Sequence, residues 1–508
     1  LYTNDYTLYL TEKTGIKFEW EQPLEADAQD RLNLLINTDE YPDVIMSNFN
    51  RDSMNAWAIQ GIIIPLDDLI EKYAPNTMKF LEEDPLRRVN LLAGDPPQIY
   101  AMPSCNECLH CYVDSGIMYY YYPFQKTLGL SEPKTIDEFT DNLRAIRDGD
   151  PNGNGKNDEI PMLVRKGQEN NLFNIIANCY FPMGTTHPYG MTIIDDEPVF
   201  QWMNPKAKEV FKYIKMLYDE GLINKDFISL EDTDPIADGD IDIVGWQLGG
   251  HNDAIWKKYS GTGRWPMAVA IPAFKGPEGI GYSPYKGTYE RSSPAVLITD
   301  KCKYPEVVVR LVDWMYELEP TLNGYIGPQG ECWDWPDEGA VGLNGEPALY
   351  KILVNYGTQR VNSGWDQANP SLRTAAFRLG EQATDMDIIQ DFYSNRTIEK
   401  AKEVAQLGSF NEINNYECAK VRLTTRLPDE YNVPPVIYTM EESQRIAEIR
   451  AVVDPFISQA RVEFITGERD IEADWDDYIR ELERMGLPEY LEIQKAALAR
   501  MYPDRFKN

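Results

Sequence analysis

The chain has 508 residues, of which 43% are apolar and 12% aromatic, a composition typical of a folded protein with more than one domain. Acidic residues number 82 against 49 Lys and Arg, so the formal net charge is -33. A field of this sign repels phosphate backbones, which argues against a nucleic-acid partner and disfavours a strongly anionic glycan. Seven cysteines are too few for a disulfide scaffold, and no long apolar run predicts a membrane-spanning helix.

Short strand patterns alternate with helix patterns along most of the chain. Alternation of Ile16, Phe18 and Trp20 predicts a half-buried strand, and a second strand is predicted over Asp43–Met46. Later strand-like runs lie at residues 241–245, 267–271 and 295–299. Because helical patterns separate these strands, we predict a mainly parallel α/β sheet.

Three helices have clear start signals. Thr135 and Glu138 form a capping box, and apolar residues follow them at helical spacing. Another helix starts after an N-cap at Asn204 and stops at Gly221. From Thr439 onward the apolar residues keep helical spacing, so the chain is predicted to close with a helical tail behind its α/β body.

Three cysteines, Cys105, Cys108 and Cys111, crowd one short segment beside His110. A C-x-x-C pair next to a histidine suggests zinc, but a structural zinc site needs four ligands. No second Cys or His pair follows at a matching distance. We therefore favour the alternative, which is one local disulfide or plain thiols in a loop.

The most specific motif is DPNGNGKNDE, which begins at residue 150. Oxygen-bearing side chains alternate and Gly stands sixth, as at the start of an EF-hand loop. The predicted Ca²⁺ ligands are the side chains of Asp150, Asn152, Asn154, Asp158 and Glu159 and the carbonyl of Lys156. The twelfth position is Pro161 instead of a bidentate Glu, so we predict a structural metal clip and no sensor. The alternative is an Asn/Gly-rich turn without a metal.

Around this loop, short segments occur in the order that they have in a known family. They are Leu128–Leu130, Pro133–Thr135, Asp137–Phe139, Ile160–Pro161, Leu217–Ile223, Asp226–Phe227, Lys303–Glu306, Leu311–Trp314, Phe464–Gly467, Asp474–Asp476, Tyr478 and Gly486–Leu487. With these segments and the loop, the chain resembles family 1 extracellular solute-binding proteins of ABC importers, in the large lipoprotein-type branch. It is also similar to alginate-binding receptors, which share the calcium loop.

The resemblance implies a two-lobed, periplasmic-binding-protein-like α/β fold of type II with hinge-crossing segments. We expect lobe 1 at residues 1–111 and 262–320, and lobe 2, with the calcium loop, at 112–261 and 321–438. Residues 439–508 are expected to form a C-terminal helical segment packed on the lobes.

The resemblance also implies a function. We expect an extracytoplasmic protein, either a cell-surface lipoprotein or a periplasmic one, that captures an oligosaccharide in the cleft between its lobes. It would deliver this ligand to the membrane permease of an ABC transporter by hinge closure around the ligand. We expect a monomer and no catalytic activity.

Sugar binding requires aromatic rings for stacking and polar side chains for the hydroxyl groups. Candidates lie in loops after strands, where open α/β sheets place ligands, at the expected hinge crossing, or in loops without a helical stripe. They are Asn48, Asn50, Arg51, Tyr119, Trp246, Trp333, Trp335, Trp365 and Asp366. Trp246 is equally well explained as a core residue at a strand end. Residues Tyr119–Tyr122 are predicted to form a strand with alternating buried and exposed rings.

Two other function classes stay open. A secreted glycoside hydrolase works with two carboxylates about 5 to 9 Å apart, and so acidic a chain does not exclude such a pair. However, no G-x-S-x-G, H-E-x-x-H or P-loop motif occurs. A peptide-binding surface lipoprotein would share both the fold and the sequence features, because fold does not determine the ligand.

Overall fold

The computed structural model describes residues 2–24, 27–46, 49, 51–108, 117–184, 190–231, 242–249, 264–285, 292–354 and 360–506. Two compact units share the chain. Unit 1 comprises Leu1–Cys108, Thr288–Thr384 and Pro435–Met440, and unit 2 comprises Leu109–Gly287, Asp385–Pro434 and Glu441–Asn508. Among the described residues, no helix combines the length and the apolar character that crossing a membrane requires.

The helices and strands alternate through most of the chain. The helices are α1 Asp5–Thr14, α2 Ala28–Thr38, α3 Arg51–Ile59, α4 Asp67–Tyr73, α5 Pro75–Glu83, α6 Leu86–Val89, α7 Tyr122–Leu128, α8 Ile136–Asp148, α9 Glu169–Ala177, α10 Ala207–Asp219, α11 Pro305–Met315, α12 Leu318–Tyr325, α13 Ala375–Leu379, α14 Met386–Ser394, α15 Ile398–Val404, α16 Phe410–Leu423, α17 Met440–Thr466, α18 Trp475–Arg484 and α19 Leu487–Met501. The strands are β1 Val44–Met46, β2 Leu92–Ala93, β3 Gln98–Ile99, β4 Ala101–Asn106, β5 Met118–Tyr121, β6 Ile160–Leu163, β7 Met191–Ile194, β8 Glu197–Phe200, β9 Val244–Leu248, β10 Ala268–Ala270, β11 Ser293–Ile298, β12 Trp333–Asp334, β13 Lys351–Ile352 and β14 Leu372–Arg373.

The main sheet of unit 1 has the strand order β1-β11-β4-β14. β11 pairs antiparallel with β1 and β4, whereas β14 pairs parallel with β4, so β1, β4 and β14 run in one direction. The prediction of a mainly parallel sheet is therefore wrong at β11, because apolar periodicity identifies a strand without specifying its direction. Ile45 of β1, Met102 of β4 and Val296 of β11 lie in one hydrophobic core.

The main sheet of unit 2 has the order β10-β5-β9-β6, with β6 parallel to β9 and β5 antiparallel to both of its neighbours. Along β5, Tyr119 and Tyr121 are buried and Tyr120 is half-buried. The predicted strand is therefore confirmed for Tyr119–Tyr121, but Tyr122 begins α7 and none of the four rings is fully exposed. Trp246 of β9 packs edge-on against Phe139 of α8, with 5.1 Å between the ring centroids.

The C-terminal helices pack within unit 2, and the predicted helical tail is confirmed. Phe464 of α17 and Trp475 of α18 lie 5.3 and 5.9 Å from the ring of Phe211 on α10. The guanidinium of Arg461 lies 4.2 Å from the ring centre of Trp202. This tail therefore contributes to the core of unit 2.

The units differ from the predicted lobe borders. Residues 321–384 belong to unit 1, because β14 completes its sheet beside β4. Residues 262–287 belong to unit 2, because β10 pairs with β5. Residues 441–508 belong to unit 2 as well.

A predicted helix start and a predicted strand had different outcomes in the structure. Thr135 accepts a hydrogen bond from the Glu138 N–H at 3.2 Å, so the predicted helix start is confirmed. The predicted strand over residues 16–20 is wrong. Phe18 stacks on Trp20 at 5.3 Å, and Trp20 meets Trp365 edge-on at 5.2 Å. The rings of Phe18 and Trp20 therefore belong to an aromatic cluster and not to a strand of a sheet.

One buried carboxylate connects two helices of unit 1. Asp313 of α11 is 3% exposed, and its Oδ1 accepts from the N–H and the hydroxyl of Thr77 at 2.8 and 2.7 Å. Its Oδ2 accepts from the N–H and the side-chain amide of Asn76, both at 3.2 Å. Asn76 and Thr77 belong to the first turn of α5, whose N–H groups have no partner within the helix. Asp313 thus caps α5 from a neighbouring helix, and the helix dipole favours its charge there.

We expect Asp313→Asn to lower the free energy of unfolding by about 2 to 4 kcal/mol, because a carboxylate with four donors is replaced by a neutral amide. Urea unfolding followed by tryptophan fluorescence measures the change. The control is Asp337→Asn, which alters an exposed carboxylate of unit 1 paired with Lys351. This control should change stability little. Equal losses in both variants would contradict the capping role.

Candidate functional site

In the loop between α8 and β6, oxygen-bearing side chains accept hydrogen bonds from backbone N–H groups of the same loop. Asp150 has φ of 44°, in the left-handed region, and its two carboxylate oxygens each accept from a backbone N–H, of Asn154 and Gly155, at 3.0 Å. Asn152 Oδ1 accepts from the Asn154 N–H at 2.9 Å, and Asn154 Oδ1 accepts from the Lys156 N–H at 2.7 Å. The loop therefore has the tight coil that the motif predicts.

Glu159 ends this loop with an enclosed carboxylate. Neither oxygen accepts a hydrogen bond from a described residue. Burial raises the pKa of Glu159, and the nearby carboxylates of Asp150 and Asp158 raise it further. An enclosed anion without a donor is costly, and a cation would offset that cost. The donor set, which consists only of oxygens, fits a hard cation such as Ca²⁺.

The carboxylates of the loop do not form one cluster in this structure. Asp158 accepts from the side-chain amide of Asn154 at 3.1 Å, and the described residues include no group of three or more His, Cys, Asp or Glu side chains placed to hold a metal ion.

The loop is tied to the sheet of unit 2. Asn152 Nδ2 donates to the carbonyl of Asp242 at 2.8 Å, and the Ile160 N–H donates to the carbonyl of Ile243 at 2.8 Å. These bonds join the loop to the residues where the parallel strands β6 and β9 begin. The loop therefore lies at the amino ends of these strands, opposite the edge where open α/β sheets bind ligands.

The carboxyl ends of β1, β4 and β14 lie at one edge of the sheet of unit 1, which we call the carboxyl edge. Open α/β sheets place ligands at an edge of this kind. These strands end at Met46, Asn106 and Arg373. Arg51, a predicted ligand-binding residue, is half-buried and begins α3 shortly after β1. The predicted residues Asn48 and Asn50 follow the same strand and lie outside the described residues.

Buried charged residues lie just beyond this edge. Glu107 Oε1 accepts from Arg87 Nη2 at 2.8 Å, and each side chain is 6% exposed. Glu107 Oε2 accepts from the Ala375 N–H at 2.7 Å and so caps α13. Arg373 lies over the ring of Tyr325 at 4.1 Å. Sequence analysis missed this group, because no motif links residues that the sheet brings together from three parts of the chain.

The cysteine segment is described only in part. Cys105 lies in the core of unit 1, and burial raises the pKa of its thiol to about 12. Arg378 Nη2 contacts Cys108 Sγ at 3.6 Å, and Cys111 and His110 lie outside the described residues. Neither Cys105 nor Cys108 is bridged to another described cysteine.

Three predicted aromatic candidates are enclosed in the structure. Trp246 and Trp333 are 0% exposed and Tyr119 is 1% exposed. Trp333 belongs to a small core with Tyr350 and Phe377. A ring without exposed surface presents no face to a sugar, so in this structure these three residues contribute packing.

Trp365 is half-buried and packs against α1. It meets Tyr6 edge-on at 5.0 Å, and its Nε1 donates to Thr7 Oγ1 at 3.0 Å. Trp335 is 48% exposed and Asp366 is exposed at the start of a 3₁₀ turn, so both present side chains to solvent.

Sequence comparison places the chain among known proteins. The model of the family described as bacterial extracellular solute-binding protein matches residues 4–320. The chain belongs to this family. It is 28% identical over 504 residues, 96% of this chain and 85% of the relative, to the fructooligosaccharide ABC transporter substrate-binding protein FusA of Streptococcus pneumoniae. Over 127 residues, 23% of the chain and 24% of the relative, it is 34% identical to lipoprotein LipO of Bacillus subtilis.

Solved structures of solute-binding proteins share the fold of this family member. FusA of S. pneumoniae in complex with kestose has 23% identity and a TM-score of 0.73, with 99% of this chain and 96% of that chain covered. An HMO-binding solute-binding protein of Bifidobacterium longum infantis has 18% identity and a TM-score of 0.78, with 98% and 95% covered. Alginate-binding protein AlgQ2 without calcium ion has 17% identity and a TM-score of 0.68, with 98% and 94% covered. The predicted family and fold class are confirmed.

We expect Glu107→Gln to lower the free energy of unfolding by about 3 kcal/mol, because Arg87 stays buried without its anion. Glu83→Gln is a matched control, since Glu83 pairs with the same Arg87 at 3.0 Å but is 49% exposed. This control should cost about 0.5 kcal/mol or less. Denaturant unfolding of both variants measures the difference. A loss for Glu107→Gln no larger than that of the control would show that the buried pair contributes no more than the exposed one.

Proposed function

We propose that this chain is the extracytoplasmic substrate-binding protein of an ABC transporter and that its ligand is an oligosaccharide. The observation that carries the proposal is the similarity to FusA over 96% of the chain and 85% of that relative. Structural neighbours bear the names of kestose, HMO, alginate and N-glycan binding or transport. All four of these ligands are glycans, although the glycan differs from one neighbour to the next.

The ligand contacts that we propose follow from exposure and position. Arg51 lies beside the carboxyl edge of unit 1, and Trp335 and Asp366 present exposed side chains of the kinds that stack on sugar rings and bind hydroxyl groups. Asn48 and Asn50 stay predictions, as does ligand binding between two lobes. Trp246, Trp333 and Trp365 are better explained by packing.

The binding role implies capture without chemical change. The relatives are named as substrate-binding proteins, so we propose no catalytic residues for this chain. We further propose that it acts as a monomer outside the cytoplasm, either as a cell-surface lipoprotein or in the periplasm, and that it passes the glycan to a membrane permease.

We also propose that the loop of residues 150–159 binds one structural Ca²⁺. Its ligands would be the side chains of Asp150, Asn152, Asn154, Asp158 and Glu159 and the carbonyl of Lys156. The enclosed, donor-free carboxylate of Glu159 supports this proposal. Two structural neighbours are described as an EF-hand mutant of FusA and as alginate-binding protein AlgQ2 without calcium ion.

We expect a glycan to raise the melting temperature of the purified protein, because a ligand that binds only the native state stabilises it. A thermal-shift screen with fructo-oligosaccharides, milk-type oligosaccharides, N-glycans and alginate fragments identifies the series, and peptides serve as controls. The glycan should be recovered uncut. Shortened products would instead indicate a hydrolase, and a response to peptides alone would indicate a peptide receptor.

We expect Ca²⁺ to raise the melting temperature of the EDTA-treated protein, and Glu159→Gln to reduce that rise, because the loop loses a charged ligand. Asp148→Asn is the matched control, since Asp148 lies just before the loop and pairs with Arg147. This control should respond to Ca²⁺ as the parent does. If Ca²⁺ leaves the melting temperature of the parent unchanged, the loop is a turn without a metal.

A further inference from the structure

Asn106 ends the central strand β4 at the carboxyl edge of unit 1. On β14, Leu372 lies opposite Cys105, and Arg373 lies opposite Asn106. Cys105 and Leu372 pack into the core of unit 1. Because side chains alternate along a strand, Asn106 and Arg373 share the other face of the sheet.

The side-chain oxygen of Asn106 is enclosed and accepts no hydrogen bond from a described residue, although the residue as a whole is half-buried. The backbone around it is already paired. The Cys105 N–H donates to the carbonyl of Ser371 and the Glu107 N–H donates to that of Arg373, both at 2.8 Å. The sheet is thus complete without this amide. An enclosed carbonyl oxygen without a donor costs free energy, which a ligand hydroxyl would recover.

Arg373 gives this position a neighbouring set of donors. Its side chain is buried, and its guanidinium carbon lies 4.1 Å from the ring centre of Tyr325. Tyr325 in turn accepts from Arg378 Nη1 at 3.1 Å, which fixes the position of the ring. An acceptor beside a guanidinium matches a sugar hydroxyl, which donates one hydrogen bond and accepts others.

We infer that Asn106 Oδ1 accepts a hydrogen bond from a hydroxyl group of the bound glycan, beside the guanidinium of Arg373. The inference rests on the proposed function and adds a specific contact to it. The group at this position is a hydroxyl and not a carboxylate, because an ionised carboxylate has no proton to donate to the amide oxygen. Sequence analysis did not select Asn106, which lies between two cysteines of the cysteine segment.

The test uses the full chain and the glycan that gives the largest thermal shift with the parent protein. Asn106→Leu removes the acceptor at nearly constant shape, and Asn106→Asp keeps an acceptor. Asn106→Ala is a smaller alternative without an acceptor, in case leucine disturbs the fold. The control is Asn369→Leu, because Asn369 of unit 1 also has an enclosed amide without a partner among the described residues but precedes β14 at its amino end. Melting temperatures without glycan establish that each variant folds, and calorimetric titration measures its affinity.

We expect Asn106→Leu and Asn106→Ala to weaken glycan binding by about 10-fold to 100-fold, as for the loss of a hydrogen bond at an enclosed group. Asn106→Asp should stay within a few-fold of the parent, and Asn369→Leu should not change the affinity. Unchanged affinity in Asn106→Leu would overturn the inference while the proposed function stands, and so would equal losses in Asn106→Leu and Asn106→Asp. A parent protein that binds no glycan overturns the proposed function and this inference with it.

Discussion

Hydrogen bonding between strands that are distant in the chain holds each unit together. In unit 1, β11 lies between β1 and β4, and β14 joins the other side of β4. In unit 2, β5 pairs with both β9 and β10. Neither sheet forms from one continuous stretch. The carboxyl edge of unit 1, with the side chains that surround it, therefore exists only when three separate parts of the chain have found their register.

Features that depend on neighbouring residues were predictable from the sequence. The coil of residues 150–159 is one, because the side chains and the backbone N–H groups that bond to each other lie within ten consecutive residues. The helix start at Thr135 is another, since a cap needs only the next turn of the helix. The helical tail followed from the spacing of its apolar residues. In each case one stretch of chain contains both partners of the interaction.

Features that depend on distant partners were not predictable in the same way. The direction of β11 and the borders of the units follow from strand pairing, which leaves no local pattern. The same holds for the group of Arg87, Glu107 and Arg373, which three chain segments bring together. The enclosure of Trp333 was not predictable for a related reason. Trp333 was predicted to lie in a loop without a helical stripe, but Tyr350 and Phe377 from later segments enclose its ring.

The late position of the closing segments has a consequence for biosynthesis. The sheet of unit 1 is complete only with β14. The core of unit 2 is complete only with Arg461, Phe464 and Trp475, near the end of the chain. Each of these segments follows most of the strands and helices of its unit in the chain, so the core of a unit cannot be completed before its closing segment has been made.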